Sequence, residues 1–344
     1  MQGRRKVAVL VAMVVMISGM QRLTAQAPSV TVGGLVYAKY YYNLSDTAGH
    51  LNNFDLDRAY LNVNGKFAYG IGGRLTSDLY ANLDGSLALR IKYAYASWNK
   101  DKSPITLKFG AIQTPWLDWE EHLWDYRMQG TMAIERGGYT VSSDLGLSVD
   151  GNYGYDRFNF TAGVYNGESY KVRPGDKGKD FMARASFRIL GTDEGTRSGG
   201  LRLTGYGQVG TPTNGGTRTR YIGMLSYRSK LLTAAGEFAG VSDSAGGTTG
   251  SKSLKQGTVG SFYAIVRIPK SGVALVARYD VTDPDRTKTD DRQDRIIGGV
   301  SYTPSGNLRL LADIDHVTYQ GNVAPTPAAY AARTQALLQV QLSF

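Results

Sequence analysis

LLQVQLSF, residues 337–344, ends the chain on a strict alternation. Leu338, Val340, Leu342 and Phe344 fall on one face, and Leu337, Gln339, Gln341 and Ser343 on the other. Side chains of a strand point to opposite faces with a period of two, so one face of this segment is a continuous apolar row. A soluble edge strand with such a row would template aggregation. A barrel strand facing lipid requires it, and closes at the interface with an aromatic residue. The reading is therefore all-β, a transmembrane antiparallel barrel.

The other end agrees. MQGRRK precedes VAVLVAMVVMI, Val7 to Ile17, an apolar run too short for the ~20 residues that span a bilayer as a helix. A basic start, a short apolar stretch and small residues around Leu23-Thr24-Ala25 form a secretory signal peptide. Cleavage after Ala27 would put Pro28 beside the cut, so the expected division is a signal peptide at 1–25 and a barrel domain at 26–344. A short N-terminal anchor is the alternative. Removing Arg4, Arg5, Lys6 and Arg22 with the signal leaves 35 basic against 29 acidic residues, a net charge of +6. With no cysteine the chain has neither disulfides nor thiolate metal sites.

The same alternation recurs along the chain. In RAYLNVNGKF, Ala59, Leu61, Val63 and Phe67 oppose Arg58, Tyr60, Asn62, Asn64 and Lys66. In LALRIKYAYASW, Leu87, Leu89, Ile91, Tyr93 and Tyr95 are expected to oppose Arg90 and Lys92. In FMARASFRI, Phe181, Ala183, Ala185, Phe187 and Ile189 oppose Arg184 and Arg188. Strands are expected at 30–42, 55–67, 70–80, 86–98, 104–111, 143–153, 157–166 and 180–190. Eight more are expected at 200–209, 219–228, 231–240, 258–268, 272–280, 294–304, 307–319 and 335–344. Sixteen is an even number, as closed bacterial barrels have, with fourteen or eighteen as alternatives.

Connections alternate in length. Tight ones (AYG at 68–70, NKDKSP at 99–104, PKSG at 269–272, PSGN at 304–307) separate long polar ones at 43–54, 112–142, 167–179, 241–257, 281–293 and 320–334. Short periplasmic turns and long extracellular loops are the barrel pattern. The segment after the fifth strand is then the third extracellular loop. Its core, AIQTPWLDWEEHLWDYR at 111–127, has helix signals: Thr114 as N-cap, Pro115 at the first helical position, and early acid. Trp116, Trp119, Leu123 and Tyr126 share one helical face; Asp118, Glu121, His122 and Asp125 share the other. The loop is expected to fold into the barrel, aromatic face on the wall and carboxylates toward the lumen, and to constrict the channel. The constriction residues are Trp116, Asp118, Trp119, Glu121, Asp125 and Arg127.

On the polar parity of the strands stand Lys39, Arg58, Lys66, Arg74, Arg90, Lys92, Lys108, Arg184, Arg188, Arg202, Arg228, Arg267, Arg278 and Arg309. Only Asp78, Asp150, Glu237, Asp313 and Asp315 oppose them. Fourteen cations against five anions give a lumen that concentrates anions. Strands 2 to 5 carry Arg58, Arg74, Arg90, Lys92 and Lys108, one patch of wall that would face the acidic loop. The alternative is that many of these cations pair with loop carboxylates and hold the loops down.

RAYLNVNGKF, YAYASW, KFGAIQTPW, EEHLWDYR and GVYNG at 163–167 together resemble the phosphate-selective porin O and P family. The likeness is sharpest over 55–170 and runs through strand pattern beyond. It implies a sixteen-stranded homotrimeric channel through which anions such as phosphate diffuse past lumen arginines and lysines. The terminal Phe344 is similar to the signal by which the barrel assembly machinery recognises such proteins. Outer-membrane lipid and lipopolysaccharide are the expected surroundings.

Catalysis is not expected, and no cofactor. His50, His122 and His316 are far apart, and His316 in DIDH shares parity with Leu310 and Ile314, away from Asp313 and Asp315. DPDRTKTDDRQD at 283–294 lacks the glycine and terminal glutamate of a helix–loop–helix calcium site. No nucleic acid is expected, since the basic charge is spread along strands without a binding motif. A non-channel barrel serving adhesion or structure stays as the second reading.

Overall fold

Inside hydrocarbon no water is available to backbone N–H and C=O groups, so each strand must pair on both sides. The structure, a computed structural model, meets that demand with a closed barrel of sixteen antiparallel strands. It describes residues 27–81, 85–172, 175, 177–211, 215–245, 254–322 and 326–344, so the expected signal peptide at 1–25 lies outside the described residues. The strands are β1 (Ser29–Asn43), β2 (Asn52–Lys66), β3 (Ile71–Ala81), β4 (Leu87–Trp98), β5 (Ile105–Gln113), β6 (Ser143–Tyr153), β7 (Phe158–Tyr165) and β8 (Asp180–Leu190). The second half adds β9 (Gly200–Gly210), β10 (Gly216–Arg228), β11 (Leu232–Ala245), β12 (Leu254–Arg267), β13 (Val273–Asp283), β14 (Gln293–Ser305), β15 (Leu308–Tyr319) and β16 (Thr334–Ser343). The last strand closes on the first, from Leu35 opposite Ser343 to Asn43 opposite Gln335.

The outer surface is apolar in rows. Leu89, Phe109, Phe181, Val209 and Leu338 are exposed, from 59 % at Val209 and Leu338 to 70 % at Leu89 and Phe109. No soluble protein leaves so many large apolar groups in water, and lipid is what covers them. At the end that carries the short turns, Phe67, Trp98, Tyr153, Phe187, Tyr302 and Phe344 stand exposed as an aromatic girdle. The opposite end carries the long loops.

Two findings differ from the expected pattern. First, β10 to β13 run beyond their expected limits at the loop end, so that much of the expected 241–257 loop is strand. Those ends are Ser-, Thr- and Gly-rich and held by polar pairs such as Thr217 N–H to Ser244 Oγ at 2.8 Å. A ladder standing above the lipid has no apolar face to alternate. Second, β4 does not keep one parity. Thr76 sits opposite Tyr93 and Ser77 opposite Ile91, leaving Lys92 as a bulge. Leu87, Leu89 and Ile91 face outward as expected, but Lys92 and Tyr93 both turn inward and are buried, and Ala94, Ala96 and Trp98 take over the outer face. A single extra residue re-aims the rest of a strand. A similar shift in β2, between the pairs Tyr37–Arg58 and Ala38–Leu56, brings Asp57 inward beside Lys39.

The pairing of β4 with β5 is short, ending at Ala94 opposite Ala111, directly after Gly110 at φ +129°. Only glycine sits easily there. Beyond it the chain leaves the wall for the third loop.

Closure at the girdle rests on the last residue. Gly34 N–H donates to the Phe344 carbonyl at 2.7 Å and Phe344 N–H to Gly34 O at 3.1 Å, while the Ser343 hydroxyl makes one 3.4 Å contact with Asn307 O. Deleting Phe344 should therefore lower the yield of folded, heat-modifiable barrel in membranes several-fold, and Ser343→Ala should leave it near wild type. Equal yields for the two variants would contradict this account.

Candidate functional site

The third loop, 114–142, enters the barrel and lies against one side of it. Pro115 opens helix α1 (Pro115–Leu123), a short turn follows at Arg127–Gln129, and a second helix, α2 (Ala133–Arg136), leads back out. Thr114 is at the N-cap position but does not cap. Its hydroxyl donates to Val141 O, and its N–H to Ser142 O at 3.3 Å, so it ties the two ends of the loop together.

The aromatic face packs on the wall as its spacing requires. Trp116 lies 5.8 Å from Tyr206 of β9, Trp124 5.1 Å from Tyr263 of β12, and the Arg184 guanidinium stacks on Trp119 at 4.7 Å. Trp116, Leu117, Trp119, Leu123, Trp124, Met132 and Ile134 are fully buried. At about 25 cal/mol per Å², each tryptophan contributes roughly 4 kcal/mol as an upper figure. An exposed ion pair contributes about 1 kcal/mol or less. The tryptophans hold the loop in place, and the ion pairs set its position.

Those ion pairs are numerous. Asp118 meets Arg197, from the 191–199 turn, at 2.6 Å; Asp125 meets Arg228 at 3.1 Å and also Arg267; Arg136 meets Asp280 of β13 at 2.8 Å. Arg309 donates to the Asp125 carbonyl, and the Gln129 amide to Asp315 at 3.1 Å. Burial pushes the Asp118 carboxyl up, but Arg197 beside it outweighs this and holds it well below the usual carboxylate range.

The loop leaves the β1–β5 wall uncovered. Between them lies a cavity of about 360 Å³, lined by Tyr37, Lys39, Asp57, Arg58, Tyr80, Arg90, Arg127 and Gln129 among others. A second cavity of about 360 Å³ continues toward the turn end past Glu121, His122, Asp125, Arg197, Arg228 and Arg309. Tyr37 and Arg127 line both, so they stand where the two cavities meet. Arg127 is held there by Glu121 at 3.0 Å, Glu135 at 3.3 Å and its own donation to Gly130 O at 2.6 Å.

The wall cations are fixed in two ways. Arg58 and Arg90 share one carboxylate, Asp78, at 2.9 and 2.7 Å, Lys108 pairs with Asp150 at 2.7 Å, and Lys39 with Asp57 at 2.6 Å. Arg74 and Lys92 have no carboxylate in ion-pair range among the described residues. Arg74 lies 4.7 Å over Tyr93 and bonds Asn62 and Thr76, while Lys92 donates to Tyr60 OH at 3.2 Å and lies 4.8 Å over that ring. Phenol faces stabilise a cation without cancelling its charge.

The expected site residues thus divide. Lys39, Arg58, Arg90 and Arg127 line the first cavity, with Arg74, Lys92 and Lys108 in the same wall. Arg184, Arg202 and Arg278 point inward but are buried: Arg184 against Trp119, Arg202 on Asp156 at 2.5 Å, and Arg278 on Asp280 at 2.8 Å. Loop and turn cover them, so they do not line open water. Arg228, Arg267 and Arg309 clamp Asp125. Lys66 is exposed at the turn end, where Arg188 also sits, donating to Tyr155 O at 2.8 Å. The acidic face expected to oppose the wall does not do so directly, since Asp118, Glu121 and Asp125 each engage arginine, and the group opposite Arg58 and Arg90 is Arg127. The partners of Asp118 and Asp125 (Arg197, Arg228 and Arg267) lie 79 to 142 residues further on, beyond any helical-wheel argument, whereas Glu121 pairs within the loop, with Arg127. Arg197 and Tyr170, which lies 5.0 Å from Arg90, are hidden for the same reason, and Asp57 because a bulge in β2 turns it inward; Tyr80 shares the polar parity of Arg74 and Asp78. Tyr60 stood on the polar parity and could have been found there.

The chain was compared with known proteins. The family model described as phosphate-selective porin O and P matches residues 30–228. No curated protein sequence matches the chain. Among solved structures, an anion-selective porin from Comamonas acidovorans aligns over 92 % of this chain and 100 % of its own, at 10 % identity and a TM-score of 0.69. Outer-membrane expressed OmpT of Vibrio cholerae covers 94 % and 100 % at 10 % identity and a TM-score of 0.66. Salmonella typhi OmpF, solved with daunomycin, covers 92 % and 97 % at 12 % identity and a TM-score of 0.66. At these identities the structural matches speak for the sixteen-stranded fold alone. The family match runs from the first strand to the end of the tenth and takes in the whole third loop, and the chain belongs to the phosphate-selective porin O and P family, as an outer-membrane porin channel.

Proposed function

We propose that this porin favours small anions, phosphate among them, which diffuse through the passage between β1–β5 and the third loop. The observation that carries the reading is the position of Arg127 opposite Lys39, Arg58 and Arg90 around one cavity, with Lys92 and Arg74 behind them bearing no carboxylate partner among the described residues. A narrow, low-dielectric passage bordered by cations on both sides raises the local anion concentration and repels cations. The structural neighbour titled an anion-selective porin supports the reading, as does the family's own description. We place residues 1–25 as a cleaved export signal, Phe344 as part of the signal to the assembly machinery, and lipid with lipopolysaccharide around the barrel. A homotrimer is the proposed assembly, as in the trimer form of OmpT.

Five outcomes are expected. In detergent without heating, the protein should run as a β-rich species of three chains, each the 37.4 kDa of the full sequence less its cleaved signal, and a monomer by light scattering would refute the trimer. In a planar bilayer under a salt gradient, the reversal potential should have the sign of anion preference. Arg90→Gln with Lys92→Gln should reduce it while leaving the barrel folded, since screening over about 8 Å confines each charge's influence to the narrow region. Arg127→Gln should reduce it further, because Glu121 and Glu135 lose their shared cation and confront the passage. Asp118→Asn, Glu121→Gln and Asp125→Asn together should move selectivity the opposite way. A cation-preferring wild type, or both substitution sets shifting the potential in one direction, would overturn the reading. The absence of any conductance steps would favour a structural or adhesion barrel.

A further inference from the structure

Of the connections at the turn end of the barrel, all among the described residues, the one between β8 and β9 is the longest. It reads GTDEGTRSG over 191–199, and 99–104 comes next. It does not hang below the rim. Thr196 and Arg197 line the second cavity, of about 360 Å³, together with Arg309 of β15, Gln341 of β16 and Tyr37 of β1. In the ring of sixteen strands, β8 and β9 stand half the circumference away from β16 and β1. A turn lying on its own side of the wall could not share so small a cavity with the far side. The 191–199 turn therefore reaches into the lumen, from the end opposite to the third loop.

Both limbs of the turn are pinned. Thr192 Oγ1 donates to Arg228 O at 2.6 Å, and the Lys230 N–H to the Asp193 carboxylate at 3.0 Å. Ser198 is buried, and Arg202 Nε donates to Gly199 O at 2.8 Å. A Cβ at Gly199 would stand 2.1 Å from Glu194 O, and Gly200 has φ +93°, so two glycines let the chain double back into β9. At the tip, Arg197 meets Asp118 of α1 at 2.6 Å and lies 5.8 Å from the Trp119 ring, yet 38 % of its side chain stays exposed. Thr196 beside it is exposed as well.

The second cavity is cationic, with Arg127, Arg197, Arg228 and Arg309 against Glu121 and Asp125. In so small a space a wall charge acts on the whole volume, since screening takes about 8 Å. We propose that the 191–199 turn is a second constriction, built from the turn end, and that Arg197 at its tip is a specificity-determining residue that attracts the anion on the far side of Arg127. Solute then meets two cation-rimmed chambers in series, one bounded by the third loop and the β1–β4 wall, the other by the third loop and the turn. The role of Arg197 rests on the anion preference proposed above; the place of the turn in the pore does not.

The chain has no cysteine, so Thr196→Cys gives it a single thiol. In planar bilayers, two methanethiosulfonate reagents of similar size, one ending in a sulfonate and one in a trimethylammonium, should both label this thiol and both lower single-channel conductance. The sulfonate adduct should lower the anion-to-cation permeability ratio about twofold or more, and the ammonium adduct should raise it as much, the effect of one charge at that range even in bulk water. Arg197→Gln should act as the sulfonate does, and Arg197→Lys should stay near the wild type. Asp101→Cys, on the 99–104 turn, should label with no loss of conductance. Should Thr196→Cys fail to fold, Gly195→Cys takes its place, since a Cβ there meets nothing within 4 Å. A thiol at the tip that stays unlabelled, labelling that leaves conductance unchanged, or an equal loss at position 101 would overturn the place of the turn. Both adducts shifting the ratio in one direction, or Arg197→Lys behaving as Arg197→Gln, would overturn the role of Arg197. A cation-preferring wild type whose conductance still falls on labelling would sink the anion reading, and the role of Arg197 with it, while upholding the second constriction.

Discussion

The obligation to pair every backbone amide in a medium without water governs this molecule. Closing β16 onto β1 removes the last free edge, and closure fixes which side of each strand meets lipid. Once the outer positions must be apolar, the inner ones are free to carry arginine, lysine, aspartate and tyrosine at a density no soluble core of this size would hold. The lumen is therefore less a hydrophobic core than a network of charge, with a true apolar core only where the third loop lies.

That loop core answers why a β-protein carries three tryptophans in one short stretch. A hairpin wall cannot fill its own lumen. The loop brings Trp116, Trp119 and Trp124 to meet Tyr206, Arg184 and Tyr263 on strands far away in the chain. Its carboxylates are then drawn to the arginines of the surrounding wall and turn, and what remains for the passage is Arg127, clamped by Glu121 and Glu135.

Much of this was legible in the sequence, because period two is a strong signal wherever one face is uniformly apolar. The outward rows of β8 and β16 could be assigned residue by residue, as could the aromatic side of α1. Legibility failed where the period itself shifts. No local feature of LALRIKYAYASW announces that Lys92 will bulge, yet that bulge turns Tyr93 inward and makes it the seat for Arg74. It failed again where a partner comes from a distant turn, as with Arg197 on Asp118. The loop-end extensions of β10 to β13 went unread because polar pairs carry no alternation. The barrel follows from pattern, whereas the site follows from register, and register depends on a few single-residue irregularities.

The loop's eccentric seat has a consequence for how such a channel can be altered. The residues that anchor it belong to β8–β15 and the 191–199 turn; the wall residues that line the first cavity belong to β1–β4, with Arg127 and Tyr37 shared with the second. Substitutions in one group touch few partners in the other, and effects at sites without shared contacts tend to add. Solute preference can thus be retuned on one side of the barrel while foldability is conserved on the other. Engineering would find the same modularity: new side chains could be written on β2–β4 without disturbing the scaffold that seats the loop.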